Sequence, residues 1–159
     1  MSTLPPFLLL AATLLGACHS TPESGQNTPP AASAATGASV PFTEARNYFV
    51  SNTYPDQALH SVTITSQAEF DKIFGMATTM GPDGRPTPID FSRQHVLAVI
   101  APASDKEPRL EAGTLQQSDR GLTLTYRLTE GPAGPTETRP ALLLLVDNQY
   151  SGDVQLQPL

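Results

Sequence analysis

The chain has few of the residues that stabilise or activate many small proteins. Its 159 residues include one cysteine, three histidines and no tryptophan. A single cysteine cannot form a disulfide within the chain, so the fold must be stabilised by its hydrophobic core alone. A zinc site needs three or four convergent ligands. Because His19 lies near the N-terminus, only two histidines remain for the rest of the chain, and we expect no metal or cofactor.

Basic residues are also scarce. The chain carries 9 lysines and arginines against 15 aspartates and glutamates, which gives a net charge of -6. No run of basic residues interrupts this acidic balance. Nucleic acids and anionic membrane surfaces are therefore poor candidates as partners. The absence of tryptophan also disfavours an aromatic platform for stacking sugars.

What the chain does contain is an apolar N-terminal run that ends at its only cysteine. The core of the run, residues 7–15, fits the apolar region of roughly 7–15 residues in a signal peptide and is shorter than the about 20 residues of a spanning helix. Gly16, Ala17 and Cys18 follow it. This order predicts a lipoprotein signal peptide over residues 1–17, cleavage between Ala17 and Cys18, and diacylation of the Cys18 sulfur.

Several acyl chains on one residue would give a stable membrane anchor. His19 rather than aspartate follows Cys18, which favours the outer membrane, facing the periplasm, over retention in the inner membrane. Residues 18–39 are rich in Ser, Thr, Pro, Ala and Gly and show no apolar periodicity. Such a composition predicts a lipidated, disordered linker. A single globular domain is expected over residues 40–159.

The apolar pattern of this domain predicts mostly strands. Apolar and polar residues alternate over residues 60–64, 122–128 and 154–156, which is typical of strands with one wet face. A turn before residue 122 predicts a hairpin with residues 110–117. Residues 96–100 and 142–146 are apolar throughout, which predicts central strands covered on both faces. Residues 48–50 are a further predicted strand at the start of the domain.

One segment, about residues 67–75, is predicted to form a helix. Ser66 and Glu69 have the spacing of a capping box. An apolar stripe follows at helical spacing, and Gly75 is the expected stop; the stripe consists of Phe70, Ile73, Phe74 and Ala77. No alternation of strands and helices is present, so we predict an α+β domain, a mostly antiparallel curved sheet or small sandwich with one packed helix.

The long segment 78–88 contains too many glycines and prolines for a core element and predicts a protruding loop. Loops that are positioned by a rigid sheet often contain the residues that bind a partner. We take Met80, Asp83 and Arg85 as candidate partner-binding residues, with Met80 as an adaptable apolar tip. A second surface candidate is the segment 131–140, in which Arg139 and Pro140 lead into an apolar strand.

No catalytic signature is present. The chain has no Gly-x-Ser-x-Gly elbow and no glycine-rich phosphate loop that opens a helix. Asp83 and Asp90 flank the long loop, but any small acidic domain offers such pairs, so a carboxylate-based hydrolase is the least favoured alternative. The expectation is a non-catalytic, lipid-anchored module that docks a protein partner through its loops. A protease inhibitor that inserts the 78–88 loop into a cleft is the other alternative.

Three stretches together resemble known bacterial proteins. Residues 47–50, residues 69–75 and residues 89–92 with the apolar run after them are similar to stretches of small bacterial lipoproteins of unassigned role. More distantly, residues 62–146 resemble the C-terminal domain found in a family of protease-complex subunits. That resemblance implies accessory work beside a protease rather than catalysis, and it assigns no functional residue.

Overall fold

The computed structural model describes residues 37–78, 80–81 and 83–159. The predicted signal peptide, Cys18 and most of the predicted linker lie outside these residues. The described part contains the following elements: β1 (Ala38–Ser39), β2 (Phe42–Glu44), β3 (Tyr48–Val50), β4 (His60–Ile64), α1 (Gln67–Ile73), β5 (Phe74–Met76), β6 (Gln94–Ile100), β7 (Arg109–Ser118), β8 (Gly121–Thr129), β9 (Ala141–Asp147) and β10 (Val154–Pro158). In that part of the chain, no helix has the length and apolar character needed to cross a membrane.

The strands form two four-stranded sheets and a two-stranded ribbon. The first sheet has the order β1-β7-β8-β10, the second has the order β2-β9-β6-β4, and the ribbon pairs β3 with β5. All pairings are antiparallel except that of β10 with β8. The predicted α+β class, with a small sandwich and one packed helix, is confirmed. The predicted hairpin of residues 110–117 with residues 122–128 is the β7–β8 pair.

Strands β6 and β9 lie in the middle of the second sheet and are buried on both faces. Alternate residues of each strand enter two separate hydrophobic clusters, because successive side chains of a strand point to opposite faces. Val96 and Leu143 face the helix and the ribbon, whereas Leu97 and Leu144 face the first sheet. This burial on both faces confirms the prediction that the two uniformly apolar runs form central strands. The domain therefore has three layers, with the second sheet in the middle.

The start of α1 follows the capping-box prediction in part. The Ser66 side chain accepts a hydrogen bond of 3.3 Å from the Glu69 N–H. Glu69 reaches back to the N–H of Thr65, at 3.1 Å, rather than to that of Ser66. This bond from the Thr65 backbone is the main cause that lowers the pKa of the Glu69 carboxyl, followed by bonds from the Thr65 and Ser66 side chains.

The helix ends at Ile73, two residues before the predicted end. Phe74 has extended backbone angles, although its N–H still bonds the Phe70 carbonyl. From Phe74 the chain pairs with β3, so Gly75 lies in a strand opposite Phe49 and does not cap the helix. Pairing with β3 while burying Phe74 outweighs the local tendency to continue the helix. Gly75 also makes room for the Phe49 ring, because an added Cβ would lie 2.5 Å from Phe49 Cζ.

The buried middle sheet leads to a stability prediction. Leu144 is fully buried between the two sheets, whereas Leu128, on β8, is 38% exposed. Leu144→Ala should lower the free energy of unfolding by about 3 kcal/mol, since it leaves a cavity between packed layers. Leu128→Ala should cost less than about 1 kcal/mol. Urea denaturation of both variants measures the difference, and equal losses would contradict the three-layer packing.

Candidate functional site

The predicted partner-binding residues lie on the segment between β5 and β6. The Met80 side chain is fully exposed, and Asp83 and Arg85 are also exposed. Residue 82, which belongs to the predicted turn, and residue 79 lie outside the described residues. The segment therefore places all three candidate side chains in solvent, as a protruding loop would.

The loop is held by the segment that precedes β3. Asn47 has a φ of 63°, in the left-handed region that asparagine tolerates better than most residues. Its side-chain amide donates one hydrogen bond of 2.6 Å to the Asp83 carbonyl and one of 2.9 Å to the Arg85 carbonyl. Both donors of the amide are thereby used. One side chain thus fixes two points of the loop backbone.

The returning end of the loop is fixed at Thr87. The Arg46 N–H donates to Thr87 Oγ1 at 2.9 Å, and the Thr87 N–H donates to the Arg46 carbonyl at 3.1 Å. The Tyr48 hydroxyl donates to the Thr87 carbonyl at 2.7 Å. Burial, and secondly the charge of Asp71, raises the pKa of the Tyr48 phenol, so the hydroxyl stays protonated as a donor. All three polar groups of Thr87 are therefore engaged by residues 46–48.

Between these fixed points the loop turns inward at Gly84. Gly84 is buried, and its N–H donates to the Gly81 carbonyl at 3.2 Å. Gly81 has a φ of 121°, a backbone conformation that strongly favours glycine. The buried glycine lies between the two carbonyls that Asn47 holds, while the side chains of Asp83 and Arg85 remain outside. The backbone that carries Asp83 and Arg85 is therefore held in place, and Met80 precedes this held part of the loop.

Exposed apolar side chains are concentrated at this part of the domain. Five large apolar side chains of the described residues are exposed, and three of them lie on the β3–β5 ribbon or on the loop that leaves it. Phe49 on β3 is 50% exposed, Met76 at the end of β5 is 73% exposed, and Met80 follows four residues later. Exposed apolar groups rimmed by polar residues are typical of interaction sites.

Arg139, in the second surface candidate, points inward. Its guanidinium donates to the Tyr54 carbonyl at 2.8 Å and to the Pro55 carbonyl, and pairs with Asp56 at 2.9 Å. It also lies over the Tyr54 ring, 5.7 Å from the centroid. The Arg139 side chain is only 15% exposed. Its role within the described residues is to hold the 54–56 turn beside an open groove of about 740 Å³.

Asp90, one of the two carboxylates that flank the long loop, is engaged in a turn. Asp90 and Asp147 line one pocket of about 310 Å³, but each accepts hydrogen bonds from a turn. Bonds from the Ser92 hydroxyl and backbone lower the pKa of Asp90, whereas a general acid needs a raised one. Asp90 therefore caps a turn. Among the described residues, no group of three or more His, Cys, Asp or Glu side chains could hold a metal ion.

No protein-family model, curated protein or solved structure matches the chain. The resemblance to small lipoproteins and to the protease-complex family therefore stays a prediction.

Sequence reasoning missed the residue that organises the site. Asn47 stands just before a predicted strand, and asparagine at such a boundary tolerates the left-handed conformation. That signal predicts a turn at most. The carbonyls that Asn47 binds are 36 and 38 residues away, so the contact depends on how β3 and β5 pair.

The two hydrogen bonds from the Asn47 side chain predict how the hydrogen-exchange protection of the loop changes when Asn47 is replaced. Asn47→Gly keeps the backbone freedom and removes both side-chain bonds, so hydrogen exchange of the Gly84 amide should accelerate at least about tenfold, which corresponds to about 1.4 kcal/mol. Asn47→Ala should show the same loss and an additional destabilisation of about 1 kcal/mol from left-handed strain.

Asn52→Ala is the matched control, because Asn52 is an exposed asparagine of the neighbouring turn. It should leave exchange at Gly84 unchanged. If Asn47→Gly also leaves Gly84 exchange unchanged, Asn47 does not hold the loop.

Proposed function

We propose that the chain is a lipid-anchored envelope protein that docks a protein partner through the 78–88 loop. The observation that supports this proposal is a loop whose residues 83–87 are held by residues 46–48, while the side chain of Met80, which precedes the held residues, is fully exposed. Five hydrogen bonds join residues 46–48 to the loop, while Met80 projects into solvent. The anchor itself rests on the sequence around Cys18.

A fixed loop suits recognition for an energetic reason. Association costs the freedom of any side chain or loop that must be ordered at the interface. Because residues 83–87 are already held by residues 46–48, this part of the loop avoids that cost. Met80 can then adapt its unbranched side chain to an apolar pocket, with Asp83 and Arg85 beside it to pair with polar groups of the partner.

The same observation supports a protease inhibitor as the second candidate function. A loop that occupies a protease cleft must resist distortion, and the Asn47 bonds on either side of Gly84 provide that resistance at residues 83–85, which follow Met80. Gly84 itself has no side chain to fill a specificity pocket, so Met80 is the side chain that would enter one. This candidate differs from the first in predicting inhibition rather than binding alone.

The proposed anchor is tested on Cys18. Mass spectrometry of the mature protein from a bacterium with the lipoprotein pathway should find Cys18 as the N-terminal residue, carrying acyl chains. Cys18→Ser should move the protein from the membrane fraction to the soluble fraction, because the anchor is lost. An unmodified thiol at position 18 in the wild-type protein would contradict the anchor and leave the loop proposal standing.

The docking role is tested on Met80. Affinity purification from solubilised envelopes of the same bacterium should recover one protein with the wild-type chain and about tenfold less of it with Met80→Glu, since a buried unpaired charge opposes apolar contact. Leu128→Glu is the matched control, as Leu128 is an exposed leucine on β8, away from the loop. It should leave recovery unchanged.

Equal recovery with both variants, or no recovery by the wild-type chain, would contradict docking through the loop. If the recovered protein is a protease, its activity should fall with the wild-type chain and recover with Met80→Glu under the inhibitor hypothesis. Unchanged protease activity would leave docking and exclude inhibition of that protease.

A further inference from the structure

The β3 strand borders a groove that the loop does not use. The groove of about 740 Å³ is lined by Phe49 and Val50 of β3, by the 52–56 turn, and by Ala103 and residues 137–139. Thr138 of this lining pairs with Ser104 in an antiparallel bridge. None of the three candidate residues on the loop lines this groove. It is therefore a second, separate surface of the domain.

The edge of β3 that does not face β5 carries free backbone groups. The Ala77 N–H bonds the Asn47 carbonyl at 2.9 Å, and the Ser51 N–H bonds the Ile73 carbonyl at 2.8 Å. In an antiparallel pair such bonds alternate along the strand, so Phe49 exchanges bonds with Gly75 and the backbone groups of its two neighbours point the other way. These neighbours are Tyr48 and Val50.

Within the described residues, no second strand pairs with β3, and no other hydrogen bond reaches the backbone N–H or carbonyl of Tyr48 or Val50. An open edge of this kind is a template for an added strand. Val50 belongs both to this edge and to the lining of the groove. The unpaired edge therefore borders the groove at Val50, which is itself only 6% exposed, whereas Tyr48 does not line the groove.

The charges of the groove select what can enter it. Among the described residues of the lining, Arg139 is the only basic one, and its charge is balanced by Asp56. Glu137 is exposed and takes part in no ion pair with any described residue. The lining thus has an excess of one negative charge, in a chain whose net charge is -6. A lysine or arginine is the complementary side chain.

Phe49 supplies the apolar part of the same surface. Its ring lies on the outer face of the ribbon, over Gly75, and is half-exposed. Side chains of an added strand would alternate between the two faces. An apolar residue beside Phe49 would then cover the ring, while a basic residue of the same segment reaches Glu137 across the groove.

We infer that the groove binds an extended segment of a partner protein, which adds a strand to the free edge of β3 and carries a basic residue for Glu137 and an apolar residue for Phe49. Backbone bonds to Val50 would hold the segment, and the two side chains would select it. This site goes beyond the proposed loop docking and includes none of Met80, Asp83 and Arg85. Either of the two binding proposals can be wrong without the other being wrong.

The test uses the full chain, labelled with ¹⁵N, and a short synthetic peptide in which lysine and valine alternate. Titration should shift the amide signals of Tyr48 and Val50 and give a saturable Kd. Glu137→Lys should weaken binding at least about tenfold, since it puts like charges together. Glu111→Lys, the same change at an exposed carboxylate on β7, should alter the Kd less than about twofold.

Two further peptides separate strand addition from charge attraction. A peptide with glutamate in place of lysine should not bind, and a lysine peptide N-methylated on alternate residues should bind at least about tenfold more weakly, because it cannot donate to the β3 edge. Met80→Glu should leave all of these affinities unchanged, so failure here is distinguishable from failure of loop docking.

Several outcomes would overturn the inference. These are equal binding of the glutamate and lysine peptides, equal binding of the N-methylated peptide, equal weakening by Glu111→Lys, or no shift at Tyr48 and Val50 at millimolar peptide. Shifts that appear without peptide as protein concentration rises would assign the edge to a second copy of this chain instead.

Discussion

The burial of β6 and β9 on both faces is the constraint on which the rest of the structure depends. These two strands are apolar throughout residues 96–100 and 142–146 and cannot expose either face of these runs to water, so each face needs a covering layer. The first sheet covers one face, while α1 and the β3–β5 ribbon cover the other. The second layer is small, because α1 has seven residues and each ribbon strand has three.

This unequal covering explains where the two proposed binding surfaces lie. A two-stranded ribbon cannot protect its own edges, and β3 therefore keeps an open edge beside the groove. The ribbon also sends the chain from β5 into the long loop, directly beside the segment that precedes β3. Asn47 and Thr87 join these two segments, so the same packing that closes the core positions the loop.

The parts of the fold that follow from local pattern were predictable. The uniform apolar runs predicted the central strands, the alternation of leucines predicted β8, and Ser66 predicted the start of α1. The end of α1 was not predictable from its own stripe, because the helical spacing of apolar residues continues through Phe74 and Ala77, whereas the chain leaves the helix at Phe74 to pair with β3.

The organisation of the site was less predictable than the fold. The exposure of Met80 followed from a loop rich in glycine and proline. The roles of Asn47 and Arg139 did not, because each depends on carbonyl groups far away in the chain, in the case of Arg139 85 residues away. Such contacts have no local signature, since the partner group is a backbone carbonyl that every residue carries.

Backbone ¹⁵N relaxation of the wild-type chain tests most directly whether the loop is held in place before any partner binds. The amides of Gly84 and Thr87 should have order parameters near those of the strands, about 0.85. Values below about 0.6 at both amides, with rigid values in β3, would show a loop that moves freely on a fixed ribbon. That result would contradict a pre-formed docking loop.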